Sequence, residues 1–136
     1  MRLAGVPADY ISFLWPEVSV LLASVPQEEY GLEDIRKLLE KRDAQLWVIL
    51  TEEHELKGCL VTEILTYPRL TTLRVMFGAG EQAKEWMPLV RDVVIPWARA
   101  HHCTAIEVDG RLGWERLVTD CVPNARRRRV LIRGVI

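Results

Sequence analysis

The sequence predicts an α/β domain built on a mixed β-sheet with helices on both faces. Two amphipathic helices precede three strand-like segments, and helix and strand then alternate, which gives the order ααβββαβαβ. Between Cys103 and Val108 the apolar side chains change from helical spacing to strand alternation, which is typical of the second half of an α/β unit. With 136 residues, 49% of them hydrophobic, the chain is long enough to form one domain, residues 1–136, with its own core.

The first predicted helix begins at Asp9, whose side chain can cap it. Pro16 is expected to kink or split this helix, and Pro26 is expected to end it. The apolar side chains fall on one stripe, as in a helix that packs on a core: Ile11, Leu14, Trp15, Val18, Leu21 and Leu22. A second amphipathic helix is predicted from Leu32 to Arg42.

Three strands are predicted next, at 45–51, 57–66 and 71–77. Alternation of apolar side chains marks the first strand, and Tyr67-Pro68 marks the turn before the third, because proline cannot donate in a central ladder. A glycine-bearing loop then leads into a long helix that ends near His102. A strand at 104–109, a helix at 113–121 and a last strand at 126–135 complete the predicted order.

Charge is distributed unevenly along the chain. The net charge is −1, but residues 124–136 carry five arginines and no acid, so residues 1–123 carry a net charge of −6. If the last strand forms, Arg126 and Arg128 face one side of the sheet. That edge could bind phosphate, contact an acidic partner, or only prevent sheet aggregation. Nucleic acid is not expected as a partner, because no aromatic residues lie between the arginines to stack on bases.

Cysteine usage and hydropathy point to the cytoplasm. The three cysteines, Cys59, Cys103 and Cys121, are far apart and contain no CxxC pair, which is typical of reduced thiols. No run approaches the roughly 18 apolar residues that a membrane-spanning helix needs, and the N-terminus does not look like a secretory signal. A membrane is therefore not expected as a partner.

Residues 97–114, which contain the predicted helix–strand–helix joint, resemble the equivalent joint of GNAT-fold acetyltransferases. It contains Trp97-Ala98, then Ile106-Glu107, then Gly110-Arg111-x-Gly113-Trp114. The resemblance is closer still to a group of small phage-encoded proteins of obscure role that share this fold. It implies a GNAT-like architecture over nearly the whole chain. It also implies a phage origin, with a location in the cytoplasm of the bacterial host or in the virion.

In that family a Gln/Arg-x-x-Gly-x-Gly/Ala loop before the third helix holds the pyrophosphate of acetyl-CoA on backbone N–H groups. The family's loop signature can be aligned with this sequence in two registers. Counting back from Trp97-Ala98 places the family positions on Gln82, Glu85 and Met87, of which only Gln82 fits. The other register uses Gly78 and Gly80 directly after the third strand. Gly78, Gly80 and Gln82 are therefore the cofactor-binding candidates if the protein is active.

The catalytic candidates are one cysteine and two glutamates. In that family a tyrosine usually returns a proton to the leaving thiolate, and it lies in the helix that corresponds to residues 113–121 here. Residues 117–121 contain no tyrosine, so Cys121 is the substitute to consider. Glu63 or Glu107 could be the base, although an ion-paired strand glutamate and a buried cysteine are the plainer interpretations. No metal site is expected, because adjacent residues such as His101 and His102 point about a hundred degrees apart on a helix.

Arg111 and Trp114 flank the turn after the fourth predicted strand, where ligands collect in open α/β sheets. They could line a cleft, or Trp114 could pack on the core.

The sequence favours a degenerate GNAT homologue that acts through protein–protein interaction, in virion assembly or with a host protein. The alternative is an active acetyl-CoA-dependent N-acetyltransferase. Residues 77–88 distinguish the two, because an enzyme needs free N–H groups there and a binding protein fills the cleft with side chains such as Trp86 or Met87. The sequence leaves open whether the protein forms a homo-oligomer.

Overall fold

The computed structural model describes residues 1–25, 27–110 and 113–136. Within these ranges the regular elements follow one another in this order: β1 (Arg2–Val6), a 3-10 turn (Ala8–Tyr10), α1 (Ile11–Leu22), α2 (Leu32–Glu40), β2 (Gln45–Leu50), β3 (Leu56–Thr66), β4 (Thr71–Gly80), α3 (Ala83–Leu89), a π-helical segment (Val90–Val94), α4 (Ile95–Ala100), β5 (Ala105–Val108) and α5 (Gly113–Cys121). The α3, π and α4 segments form one continuous helical rod over residues 83–100. No helix in the described ranges is long and apolar enough to cross a membrane.

The five strands form one mixed sheet in the order β1-β2-β3-β4-β5. Neighbouring strands are antiparallel except β4 and β5, which are parallel and are joined by the helical rod. A crossover helix is the usual way to join parallel neighbours, because a tight turn cannot reverse the chain twice. The predicted fold class is confirmed.

Helices cover both faces of the sheet, as predicted. On the central strand β2, Leu46 and Val48 belong to the core under α1 and α2, whereas Trp47 and Ile49 belong to the core under the helical rod. All four are at most 4% exposed, so the alternation marks two buried faces rather than one buried and one solvated face. The Trp47 indole Nε1 donates to the Thr62 hydroxyl at 2.9 Å, which satisfies both buried polar groups.

Two predicted elements need correction. The first strand, β1, is missing from the predicted order; it is short, contains Gly5 and, within the described ranges, pairs only with β2. The predicted last strand at 126–135 was wrong, because residues 126–136 form no regular structure. The segment has a strand-like composition of arginines and apolar residues. A strand also needs a neighbouring strand for its backbone hydrogen bonds.

Smaller differences concern the ends of elements. α1 runs unbroken through Pro16, and its N-cap is Tyr10 rather than Asp9, which lies in the preceding 3-10 turn. Proline removes only one intrahelical donor, and the buried residues on the inner side hold the helix together: Ile11, Trp15, Val18 and Leu22. β4 extends to Gly80, three residues beyond the predicted end. Pro26, predicted to end the first helix, lies outside the described residues.

Candidate functional site

A cleft forms where β4 and β5 separate. Their parallel pairing runs from Thr72 opposite Ala105 to Val75 opposite Val108, whereas β4 stays paired with β3 as far as Gly80. At the point of separation β4 contains one extra residue, since Val75 and Phe77 pair with consecutive residues of β3. Such a bulge bends the strand. The last part of β4 therefore turns away from β5.

Small residues and two tryptophans line this cleft. A cavity of about 380 Å³, open to solvent on one side, lies between β4, the start of the helical rod and α5. The lining residues are Gly78, Ala79, Gly80, Ala83, Trp86, Gly113, Trp114 and Leu117. Three glycines and two alanines leave room at the backbone, whereas the tryptophans form apolar walls. The lining of the cavity is therefore more apolar than polar.

The ring of Trp114 lies against the backbone of β4. A Cβ added to Gly78 would be 2.5 Å from Cη2 and 2.6 Å from Cζ2 of this ring. On the other side, a Cβ added to Gly110 would be 2.9 Å from its Cδ1. Glycine at both positions is what leaves room for the indole between β4 and the turn after β5. Trp114 thus both lines the cleft and packs on the core under the helical rod.

Gly78 and Gly80 lie in β4 and not in the predicted loop. A Cβ on Gly80 would come within 2.5 Å of the Gly58 Cα and of the Lys57 carbonyl oxygen, and its φ is +129°. The close approach of β3 therefore requires glycine here, and the φ favours it. Since Trp114 accounts for Gly78, both glycines have a packing explanation that needs no ligand.

The turn from β4 into the helical rod is short and carries acidic residues. Gln82 is the N-cap of α3 with a left-handed φ of 56°, makes no side-chain cap hydrogen bond, and does not line the cavity. Trp86, only 1% exposed, donates from Nε1 to the Glu81 carbonyl oxygen at 3.0 Å. Glu85 lies in the first helical turn and pairs with Lys57 at 3.4 Å. Met87 is buried in the core.

The candidate bases belong to a charged cluster on the other face of the sheet. Thr72 and Arg74 alternate along β4 with Leu73 and Val75, which point into the core under the helical rod. A Glu107 oxygen accepts hydrogen bonds from the Tyr67 hydroxyl at 2.9 Å and the Thr72 hydroxyl at 2.5 Å. These contacts fix the Glu107 carboxylate as a hydrogen-bond acceptor between two hydroxyls.

Glu63 sits beside the same cluster. Arg74 is 3.0 Å from an Asp109 oxygen and 3.9 Å from a Glu63 oxygen. Burial raises the pKa of the Glu63 carboxyl; the Arg74 guanidinium opposes this shift and the Glu107 carboxylate adds to it. A raised pKa makes a carboxyl a better proton acceptor than an exposed one. Neither Glu63 nor Glu107 lines the cavity.

The remaining candidates are scattered. The Cys121 thiol points toward Met87, 3.5 Å from its carbonyl oxygen, burial raises its pKa, and it does not line the cavity. Arg126 and Arg128 are exposed and lie in the irregular C-terminal segment, so they do not share a strand face. Arg111 lies outside the described residues. Among the described residues no group of three His, Cys, Asp or Glu side chains could hold a metal ion.

Sequence reasoning did not find the contact between Trp114 and Gly78. The sequence signal was a glycine late in β4 and a tryptophan at the start of α5, 36 positions apart. Spacing cannot show that they meet. The same holds for the Tyr67–Glu107–Thr72 group, whose members come from two strands and a turn.

No family model matches the sequence, and no curated protein matches it. Solved structures do match, over at least 95% of their length. An aminoglycoside acetyltransferase from an uncultured soil metagenomic sample, in complex with sisomicin, superposes with a TM-score of 0.73. The chain has the GNAT fold. That structure is 13% identical, and the match covers 99% of this chain and 95% of the other.

Two further structures give the same result. A ribosomal-protein-alanine N-acetyltransferase from Brucella melitensis biovar Abortus 2308 is 18% identical with a TM-score of 0.69, over 98% of this chain and 100% of the other. A glucosamine-6-phosphate N-acetyltransferase from Arabidopsis thaliana is 10% identical with a TM-score of 0.65, over 98% and 97%. At these identities the likeness is one of fold.

Proposed function

We propose that this chain is a GNAT-fold binding protein whose acyl-CoA cleft is closed by its own Trp114. The contact between the Trp114 ring and Gly78 carries the proposal. Acetyltransferases of this fold use acetyl-CoA in general, and an acyl-CoA held here needs the open edge of β4. The indole covers that edge where β4 has left β5. The buried Trp86 forms a second apolar wall.

The turn before the helical rod also does not favour a diphosphate. A diphosphate binds well at a helix N-terminus, where free N–H groups and the helix dipole favour negative charge. Here the first turn of α3 carries Lys84 and Glu85, and Glu81 precedes the helix. Lys57, a second cation beside this turn, is paired with Glu85. The two carboxylates offset the two lysines, so the turn carries no excess positive charge for a diphosphate.

A contact surface for a protein partner is available on α1. Tyr10, Phe13 and Val20 lie on one side of this helix and are 56%, 78% and 71% exposed. Exposed aromatic residues are frequent anchors of protein interfaces. We propose that the partner is a phage or host protein, met in the bacterial cytoplasm or during virion assembly. The sequence resemblance to small phage-encoded GNAT-like proteins supports this part.

Thermal melts of the wild type and of Trp114→Ala, each with and without millimolar CoA or acetyl-CoA, test the closed cleft. We expect no shift for the wild type. A ligand at about a hundred times its dissociation constant would add roughly 2.7 kcal/mol. Phe13→Ala, far from the cleft, is the control and should also show no shift. A clear shift of the wild-type midpoint would contradict the proposal, whereas a shift only in Trp114→Ala would support it.

The partner surface is tested by affinity purification with two equally exposed valines. Val20 on α1 is 71% exposed and Val130 in the C-terminal segment is 73% exposed. A protein retained by the wild type and by Val130→Glu, but lost with Val20→Glu, supports a contact on α1. Loss with Val130→Glu alone would refute that placement. Unchanged melting temperatures of both variants would show that the fold is intact.

An acetyltransferase is the second candidate, because the cavity and its small lining residues remain beside Trp114. It requires the indole to move, with Gly78 and Gly80 then against the acyl chain and Gln82 near the diphosphate. Glu63 or Glu107 would accept the amine proton, and Cys121 would have to approach the thiolate. A thiol-release assay with acetyl-CoA, aminoglycosides and peptide amines tests it. Release that is lost in Glu63→Gln would establish this candidate.

A further inference from the structure

The outward side of α1 carries four residues at coiled-coil spacing. Tyr10, Phe13, Glu17 and Val20 follow the a-d-a-d pattern of two heptads, and all four are exposed. Tyr10, the N-cap residue, has a right-handed helical backbone, so it lies in line with the others. The buried residues of the helix lie on its opposite side, against the sheet. These four residues form a seam about 15 Å long, at 1.5 Å per residue, against which a second helix can pack.

Glu17 interrupts the apolar seam at an a position. No ion pair in the part of the chain that the structure describes involves this carboxylate. Residues 8–25 contain two acids, Asp9 and Glu17, and no lysine or arginine. A polar residue at an a position selects the partner helix, because its burial against apolar groups alone is costly. A helix that covers the seam therefore has to bring a cation to Glu17.

Arg36 of α2 lies close to α1 but does not serve the seam. Its Nε donates to a Glu40 oxygen at 2.6 Å, and its Nη2 is 3.4 Å from the Ser12 hydroxyl. Its guanidinium also lies over the ring of Trp15, 5.8 Å from the centroid. Ser12 and Trp15 are on the side of α1 that faces α2, away from the seam. The cation for Glu17 therefore comes from a partner.

A second copy of this chain does not fit the seam. Two copies of α1 packed in parallel place Glu17 against Glu17, and these like charges repel each other. Two copies packed antiparallel about the centre of the seam place Glu17 of one copy against Phe13 of the other. That arrangement buries a carboxylate on an apolar ring. Neither arrangement supplies a cation, so the observations favour a different protein as the partner.

We propose that the seam docks one amphipathic helix of a protein partner, which is apolar along its own seam and carries a lysine or arginine opposite Glu17. Two heptads are short for an isolated coiled coil, because free helices of this length are only marginally stable in water. The buried side of α1 already holds it on the sheet, so only the partner helix has to be ordered. This inference rests on the proposed function, in which α1 contacts the partner, and adds the kind of partner and the role of Glu17.

Two pairs of synthetic helical peptides test the charge requirement. Each peptide is a stapled two-heptad helix with leucine at three seam positions. In each pair one inner seam position, which faces Glu17 in parallel or in antiparallel docking, carries lysine in one peptide and glutamate in the other. Fluorescence anisotropy should show that the wild type binds the lysine peptide of one pair about 5- to 10-fold more tightly than its glutamate counterpart, the effect of one charge pair.

Charge reversal in the protein is the decisive comparison. In Glu17→Lys the preference should reverse, so that the glutamate peptide binds more tightly. Glu33→Lys makes the same change of charge at an exposed residue of α2 and should keep the wild-type preference. The proposal is overturned if neither pair binds to the wild type, if lysine and glutamate peptides bind equally, or if Glu17→Lys keeps the wild-type preference.

Two further measurements separate the alternatives. Sedimentation equilibrium should give the same self-association for the wild type and Phe13→Glu, whereas weaker self-association of Phe13→Glu would make a second copy the occupant and overturn the proposal. The affinity purification with Val20→Glu is independent of the peptides. If Val20→Glu loses the retained protein while the peptides do not respond to Glu17, α1 remains the partner surface of the proposed function and only the inference about the helix fails.

Discussion

Replacing Gly78 by alanine should destabilise the protein through its contact with Trp114. The added methyl group would lie 2.5 Å and 2.6 Å from two ring carbons and 3.2 Å from a Leu60 methyl group. Carbon atoms prefer separations of about 3.5–4.0 Å, so the ring has to move by about 1 Å. Overpacking of this kind typically costs about 1–3 kcal/mol.

A double-mutant cycle isolates this contact. Trp114→Ala alone removes a half-buried ring and should cost about 2 kcal/mol, somewhat less than truncation of a fully buried tryptophan. Once the ring is gone, Gly78→Ala should cost almost nothing. The two changes together should therefore destabilise the protein by about 1–3 kcal/mol less than the sum of the single changes.

Urea denaturation of the four proteins measures the cycle. Gly113→Ala is the matched control, because Gly113 also lines the cleft but an added Cβ there meets no atom within 4 Å. It should leave the free energy of unfolding unchanged or raise it slightly, since alanine favours a helix. Additive effects of the Gly78 and Trp114 substitutions, within about 0.5 kcal/mol, would refute the closed cleft.

Three further predictions concern the core and the charged cluster. Thr62→Val should cost about 1–3 kcal/mol in urea denaturation because the buried Trp47 N–H loses its acceptor, and a smaller loss would mean that water replaces it. Burial raises the pKa of the Cys59 thiol to about 12, so the folded state holds its proton above pH 9 while the unfolded state loses it. The stability advantage of the wild type over Cys59→Ala should thus fall by about 1.4 kcal/mol per pH unit above 9, and a constant difference would contradict the burial argument. Because burial raises the pKa of Glu63, its ionised form opposes folding, and Glu63→Gln should melt higher than the wild type at pH 7. That difference should vanish below about pH 4, and a Glu63→Gln variant that melts lower at pH 7 would mean that the Arg74 ion pair dominates.

Periodicity was enough to predict most of the fold. The alternation in β2 and the stripe on α1 are strong signals because buried side chains enforce them on both faces of the sheet. β1 gave no such signal, since it has five residues, includes a glycine and is an edge strand in the part of the chain that the structure describes. The C-terminal segment gave a false strand signal. Alternation shows which side chains a strand could bury, but it does not show whether a neighbouring strand is present.

The site was harder to predict than the fold, for a physical reason. Its features come from contacts between distant residues, such as Trp114 on Gly78 and Tyr67 on Glu107. Gly78 and Gly80 were predicted as positions where a cofactor approaches the backbone, and that role stays a prediction. The approaching groups are an indole ring and the neighbouring strand, which sequence spacing cannot distinguish from a bound cofactor.

Fluorine NMR of the protein labelled with 5-fluorotryptophan tests the closed cleft most directly. The Trp114 resonance is assigned by its absence from Trp114→Phe, and CoA is then added to the wild type. We predict that this resonance does not move or broaden at millimolar CoA, because the indole remains packed on Gly78. A saturable shift of the Trp114 resonance would show that the ring yields to the ligand, and would contradict the proposal that it closes the cleft.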